Sequence, residues 1–200
     1  AAAGEFTQTD DNTVDAAVFS KSDLVINGSG KLAVSCEKSH GIVSKDDLKI
    51  TGGSLEVKAA KQGISGKDSL RIAGGSITVD AGTDGIRSKN TEDATKGYVY
   101  IKGGALHITA GNDGVSASST CIIEGGALDI STGEGSASVT HSEGQWGGGM
   151  WPGWGGSTEA DTPSVKGIKA GGGLTVTGGS LKATSVYNNT LQCYDLTVTG

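Results

Sequence analysis

Apolar and polar residues alternate along this chain in short runs, and the runs recur at a fixed interval. The run Gly41-Ile42-Val43-Ser44-Lys45-Asp46-Asp47-Leu48-Lys49-Ile50-Thr51-Gly52-Gly53-Ser54-Leu55-Glu56-Val57 is followed 22 residues later by a second copy, from Gly63-Ile64-Ser65-Gly66-Lys67-Asp68 to Gly74-Gly75-Ser76-Ile77-Thr78-Val79. A third copy opens at Ile86, again 22 residues on, and a fourth at Val115, 29 residues on, after an inserted loop around 90–96. A fifth opens at Ile168, 53 residues further, the excess being the stretch 136–165. Another step of 22 places the next opening at Thr190, and looking backward Val18 opens 24 residues before Ile42. Seven coils begin within the chain on this reading.

Each coil carries three short strand signals. The first is an aliphatic residue followed two later by a small one (Ile42/Ser44, Ile64/Gly66, Ile86/Ser88). The second and third are aliphatic pairs two apart, the third following Gly-Gly (Leu48/Ile50 then Leu55/Val57; Leu70/Ile72 then Ile77/Val79). Period-two alternation puts these residues on one face, the interior. The Gly pairs and the Gly-Ile steps are expected to supply corners with positive φ. Strands this short pair with their equivalents one coil away, which predicts a right-handed parallel β-helix with three parallel sheets. Coils about 4.8 Å apart make a stack roughly 34 Å tall. An antiparallel sandwich would show no recurring 22-residue register. An ice-binding solenoid would need an outward Thr ladder, but the outward column is Lys49, Arg71, Tyr100, Ile122, Thr175.

Composition agrees with a narrow stack. Gly numbers 35 of 200 residues and aromatics are 4%, so the core is built of small aliphatics. The net charge of −6 makes the chain a poor candidate for a nucleic-acid partner, so none is expected. No apolar run approaches the about 20 residues of a membrane span. Of three cysteines, Cys36 and Cys121 fall at core positions, where thiols serve as small hydrophobes. Residues 1–200 are expected to form a single domain, a piece of a longer protein, without a signal peptide at its start.

Stacking in register turns sequence columns into spatial ones. The residue before each Gly-aliphatic step is His40, Gln62, Asp84, Asp113, then Lys166. Asp84 and Asp113 on adjacent coils repel unless a cation lies between them, and Ca²⁺, with oxygen ligands at about 2.3–2.6 Å, can bridge that spacing. Asn112 completes a candidate shell, with Thr83 beside it; turn preference explains either Asp alone but not the stack. A second column is Lys21, Lys45, Lys67 and Lys89, ending at Ser118, with Arg87 projecting from the same sheet. This basic strip suits a linear polyanion such as polygalacturonate, or is a solvated edge neutralised by the next column, Asp46, Asp68 and Asn90. That third column is itself a candidate second ion site, with Asn90 among its ligands.

The stretch 136–165 holds all three Trp, including Trp151, in a Gly-rich context suited to stacking on sugar rings, or to serving as a linker. Catalytic patterns are thin. The three His fall in different columns without triad logic, and no Gly-rich loop precedes a helix. A polysaccharide lyase would need a base of depressed pKa, for which Lys89 is the candidate.

Ala17-Val18-Phe19-Ser20-Lys21, Leu24-Val25-Ile26-Asn27-Gly28-Ser29-Gly30, Gly41-Ile42-Val43-Ser44-Lys45-Asp46-Asp47-Leu48 and Asp84-Gly85-Ile86-Arg87-Ser88-Lys89 resemble the bacterial carbohydrate-binding domain family, over nearly the whole chain. The resemblance implies a pectate-lyase-like β-helix, extracellular or cell-surface display, bound calcium, and affinity for polygalacturonate (pectin) and cellulose without proven lyase activity. By position it favours Asp84, Asp113 and Asn112 as calcium ligands. Gln62 and Lys166 depart from the family's acidic pattern, and its usual N-terminal strands are missing. The expected function is therefore non-catalytic binding of acidic polysaccharide with calcium, through Lys45, Lys67, Lys89, Arg87 and Trp151. A calcium-dependent lyase and a structural stalk or adhesin segment are the alternatives.

Overall fold

The structure, a computed structural model, describes residues 14–133, 165–186 and 189–199. Every strand pairing among them is parallel. The first sheet stacks Ala16–Ser20, His40–Ser44, Ile64–Gly66, Ile86–Ser88, Val115–Ala117, Ile168–Ala170 and Leu191–Gln192, in that order. The second stacks Leu24–Ile26, Asp47–Ile50, Ser69–Ile72, Tyr98–Ile101, Cys121–Ile123, Gly173–Val176 and Asp195–Val198. The third runs from Lys31–Cys36 through Ser54–Ala59, Ser76–Ala81, Ala105–Ala110 and Ala127–Thr132 to Ser180–Ser185. This is a parallel β-helix: the chain visits the three sheets in turn and climbs one level per circuit.

Like residues sit on like. Ile42 pairs with Ile64, Ile64 with Ile86, Ile86 with Val115 and Val115 with Ile168. All five are wholly buried, and each such aliphatic removed from water contributes roughly 1.5–3 kcal/mol. The top coil departs from the 22-residue expectation. Ile168 pairs with Leu191, not Thr190, so this circuit takes 23 residues. Thr190 stands at the Gly167 level, its carbonyl accepting the Ile168 N–H. The interior needs an aliphatic residue there, and Leu191 supplies it.

The two kinds of glycine separate by cause. The second Gly of the Gly-Gly corners has positive φ, +85° at Gly53 and +102° at Gly75, as expected. The glycines of the Gly-Ile steps do not. Gly63 has ordinary φ, and a Cβ there would be driven into Val79 and to 2.6 Å from the Gly85 carbonyl oxygen. Crowding, and not backbone conformation, holds that column to glycine.

The small inward residue ending each first-sheet strand marks the next corner. Ser44 Oγ donates to the Ser22 and Asp47 carbonyls, and Ser88 Oγ to the Lys67 carbonyl, satisfying the turning backbone. At Gly66 a Cβ would collide with the Ser69 carbonyl. The residue immediately beyond, Lys45, Lys67 or Lys89, is thereby turned out of the core. Cys36 and Cys121 are buried and unbonded, and burial pushes the Cys121 thiol up to about 12, as an inert core thiol requires.

Candidate functional site

The first sheet's short strands are bracketed by two columns of side chains. On the leading side, the side chains of His40, Asp84 and Asp113 each receive a backbone N–H from the counterpart one coil on. Gln62 N–H donates to His40 Nδ1 at 3.2 Å, Asp113 N–H to Asp84 Oδ1 at 3.4 Å, and Lys166 N–H to Asp113 Oδ1 at 3.0 Å. Since His40 Nδ1 accepts, its proton sits on Nε2, which faces Asp15 at 3.3 Å.

Asp84 and Asp113 are stacked as the alignment expects, and both are buried. Arg87 Nη1 reaches Asp84 Oδ2 at 3.0 Å, and Lys169 Nζ stands 3.8 Å from Asp113 Oδ2. Both cations project from the outward face of the sheet, on either side of Ser116. Burial nevertheless pushes the Asp84 carboxyl above its ordinary range; Arg87 opposes this and the Asp113 charge adds to it. Among the described residues no three His, Cys, Asp or Glu side chains gather as a metal group. The donors at this stack are all oxygens: the two carboxylates, the neighbouring Asn112, and Thr83 Oγ1, which is buried without a hydrogen-bond partner. That donor chemistry fits a hard divalent cation, provided Arg87 swings off Asp84.

Asn90 does not belong to that shell. It lies beyond the other end of Ile86–Ser88, where its Nδ2 donates to Asp68 Oδ1 at 2.7 Å. Its Oδ1 accepts the N–H groups of Glu92 and Asp93 at 2.9 and 3.0 Å, so the side chain pins the inserted loop.

On the trailing side, Lys45, Lys67 and Lys89 follow the first-sheet strands on successive coils. Lys45 Nζ lies 5.7 Å from the centroid of the Phe19 ring, and Lys67 Nζ lies 3.5 Å from Glu92. The Lys89 ammonium has no carboxylate partner among the described residues. Its pKa is lowered, first by desolvation and then by the charges of Lys45 and Arg87, with Lys67 adding and Asp15 opposing. The four cations therefore share one electrostatic field. Asp68, one position beyond Lys67, feels that lysine's charge but makes no ion pair with it. It pairs instead with Lys96 Nζ at 2.7 Å, a hydrogen bond that holds its carboxyl below the usual range against the cost of burial. Trp151 lies outside the described residues.

Sequence reasoning missed Glu92, Lys96 and Lys169. The first two sit in the inserted loop and have no column, so periodicity is blind to them. Lys169 was readable: it aligns with Ser116 and Arg87, one coil above the Asp113 it faces.

A family model described as carbohydrate-binding domain-containing protein matches residues 2–200. A carbohydrate-binding domain-containing protein of Acetivibrio thermocellus is 44% identical over 55 residues, which are 28% of this chain and 19% of that protein. A solved polysaccharide lyase-like protein from C. thermocellum, a gadolinium derivative, superposes with a TM-score of 0.68 at 32% identity. The match covers 88% of this chain and 60% of the solved one, so the chain spans less than two thirds of either relative.

Proposed function

We propose that this chain, which belongs to the carbohydrate-binding domain-containing protein family, binds polysaccharide, and specifically an acidic plant cell-wall polysaccharide such as polygalacturonate, without cleaving it. The observation that carries this reading is Lys89, a cation crowded by Lys45, Lys67 and Arg87 and lacking a carboxylate partner among the described residues. Crowded cations gain when a polyanion brings carboxylates to them. Coil spacing of about 4.8 Å sets them in a line, as a linear polymer requires. Such a polymer supports display outside the cell, at the bacterial surface or in the medium.

Calcium is the proposed cofactor, with Asp84, Asp113 and Asn112 as its ligands. Bound there, the ion would supply positive charge to the sugar carboxylates at the leading end of the same strands. Its affinity should rise with pH as Asp84 gives up its proton. The lowered pKa of Lys89 favours one alternative, a lyase in which this amine removes the proton α to a uronate carboxylate.

Retention on immobilised polygalacturonate, in calcium and in chelator, separates these readings. Binding predicts retention that chelator and salt weaken, with no unsaturated product. Unsaturated product that Lys89→Ala abolishes would establish the lyase. No retention under either condition would leave only a scaffold.

A further inference from the structure

The second sheet carries a separate basic hollow that the strip does not explain. Lys49, Arg71 and Tyr100 stand in register on its outward face, on three successive coils. Two residues along each strand the column reads Thr51, Ala73, Lys102. Ala73 is the gap in that column, and it opens a hollow of about 290 Å³ lined by Lys49, Arg71, Ile72, Ala73, Tyr100 and Lys102.

The chemistry of this lining is specific. Lys49 and Lys102 have no carboxylate partner among the described residues. Arg71 is held by Asp47, Nη2 to Oδ2 at 2.9 Å, which leaves its buried Nε–H without an acceptor. The Tyr100 hydroxyl donates to Glu124, fixing the ring at the rim. Two cations without a carboxylate partner among the described residues, Lys49 and Lys102, the Asp47-paired Arg71 and an aromatic ring thus line a hollow in a chain of net charge −6. Along the chain, Asp46, Asp47 and Asp68 fall between it and the Lys45–Lys67–Lys89 strip, so the two basic patches are separate.

We infer that this hollow is a second binding site, taking a single carboxylate-bearing sugar unit. The carboxylate lies among Lys49, Lys102 and Arg71, and the sugar ring rests against Tyr100. The choice of a sugar among anions rests on the polysaccharide-binding reading; the hollow itself rests on geometry alone.

The test is a site-resolved NMR titration with digalacturonate, with the neutral disaccharide of galactose as control. The Ala73 methyl and Tyr100 ring signals should move with digalacturonate and stay still with the control. They should move equally in K45A/K67A/K89A, which removes the strip. K49A/K102A should weaken the Tyr100 response about tenfold or more, the loss of charge-assisted contacts. Ala73→Leu should abolish that response while leaving the Lys89 signals responsive. Because these lysines are exposed, K49A/K102A carries the test even if the leucine unfolds the coil. Response at the strip but not the hollow overturns the second site and leaves the strip reading intact. Response at the hollow that vanishes in the strip variant also overturns it. Response at the hollow alone upholds it and removes the strip, and silence at both removes both.

Discussion

Asp84 and Lys89 bracket one three-residue strand, Ile86–Ser88; Asp84 stacks with one other carboxylate, Asp113, and Lys89 continues the run of Lys45 and Lys67. The acid column is answered from within: Arg87 and Lys169 face the carboxylates, and backbone N–H groups from the next coil occupy an oxygen of each. Lys89 in the basic column has no such answer among the described residues; its neighbours in the field are mostly other cations. A solenoid stacks like on like, so any charge in the repeat is multiplied along the coils. Where the same fold neutralises the multiplied charge, the column is structural. Where it does not, the column is available to a ligand of opposite sign.

The largest effect breaks both columns together. Ile86 is fully buried between them, so Ile86→Ala should cost about 2–5 kcal/mol in chemical denaturation. Polysaccharide binding should then be lost only where the coil unfolds. The next effect sharpens the contrast. Arg87→Ala strands the buried Asp84 carboxylate and should cost about 1–3 kcal/mol. Lys89→Ala, which removes only a crowded cation, should change stability by no more than about 0.5 kcal/mol. Equal losses in the two variants would show that Lys89 has a partner in the fold.

These outcomes depend on a register that was largely legible from periodicity. Ile42, Ile64, Ile86, Val115 and Ile168 align by sequence spacing once the insertions are allowed, and the structure pairs them so. Leu191 escaped because the last circuit is one residue longer, and core demand rather than count chooses the inward residue. The Gly63 column was legible as glycine but not for its reason, since crowding against the next coil exists only once coils stack. The site was legible column by column and illegible across columns. Lys67–Glu92 and Lys96–Asp68 join a repeat position to an inserted loop, which no period describes.

The smallest effect is a pH dependence. The folded pKa of Asp84 lies above its ordinary value of 3.8, so in that window the folded chain keeps a proton that the unfolded chain has released. Its stabilising contribution is full below 3.8 and is lost as pH rises through the folded value. Thermal melts of Asp84→Asn across the acid range should lack this segment of the profile. An unchanged profile would place the titration elsewhere.

The most direct measurement compares K67A/K89A with D84N/D113N for affinity to a polygalacturonate oligomer, in calcium-free buffer of low ionic strength. The strip variant should bind about tenfold more weakly or worse than wild type, the loss of charge-assisted contacts, while the acid-column variant stays close to wild type. Full affinity in K67A/K89A, or its loss only in D84N/D113N, would contradict the assignment of the lysine column as the surface that meets the polymer.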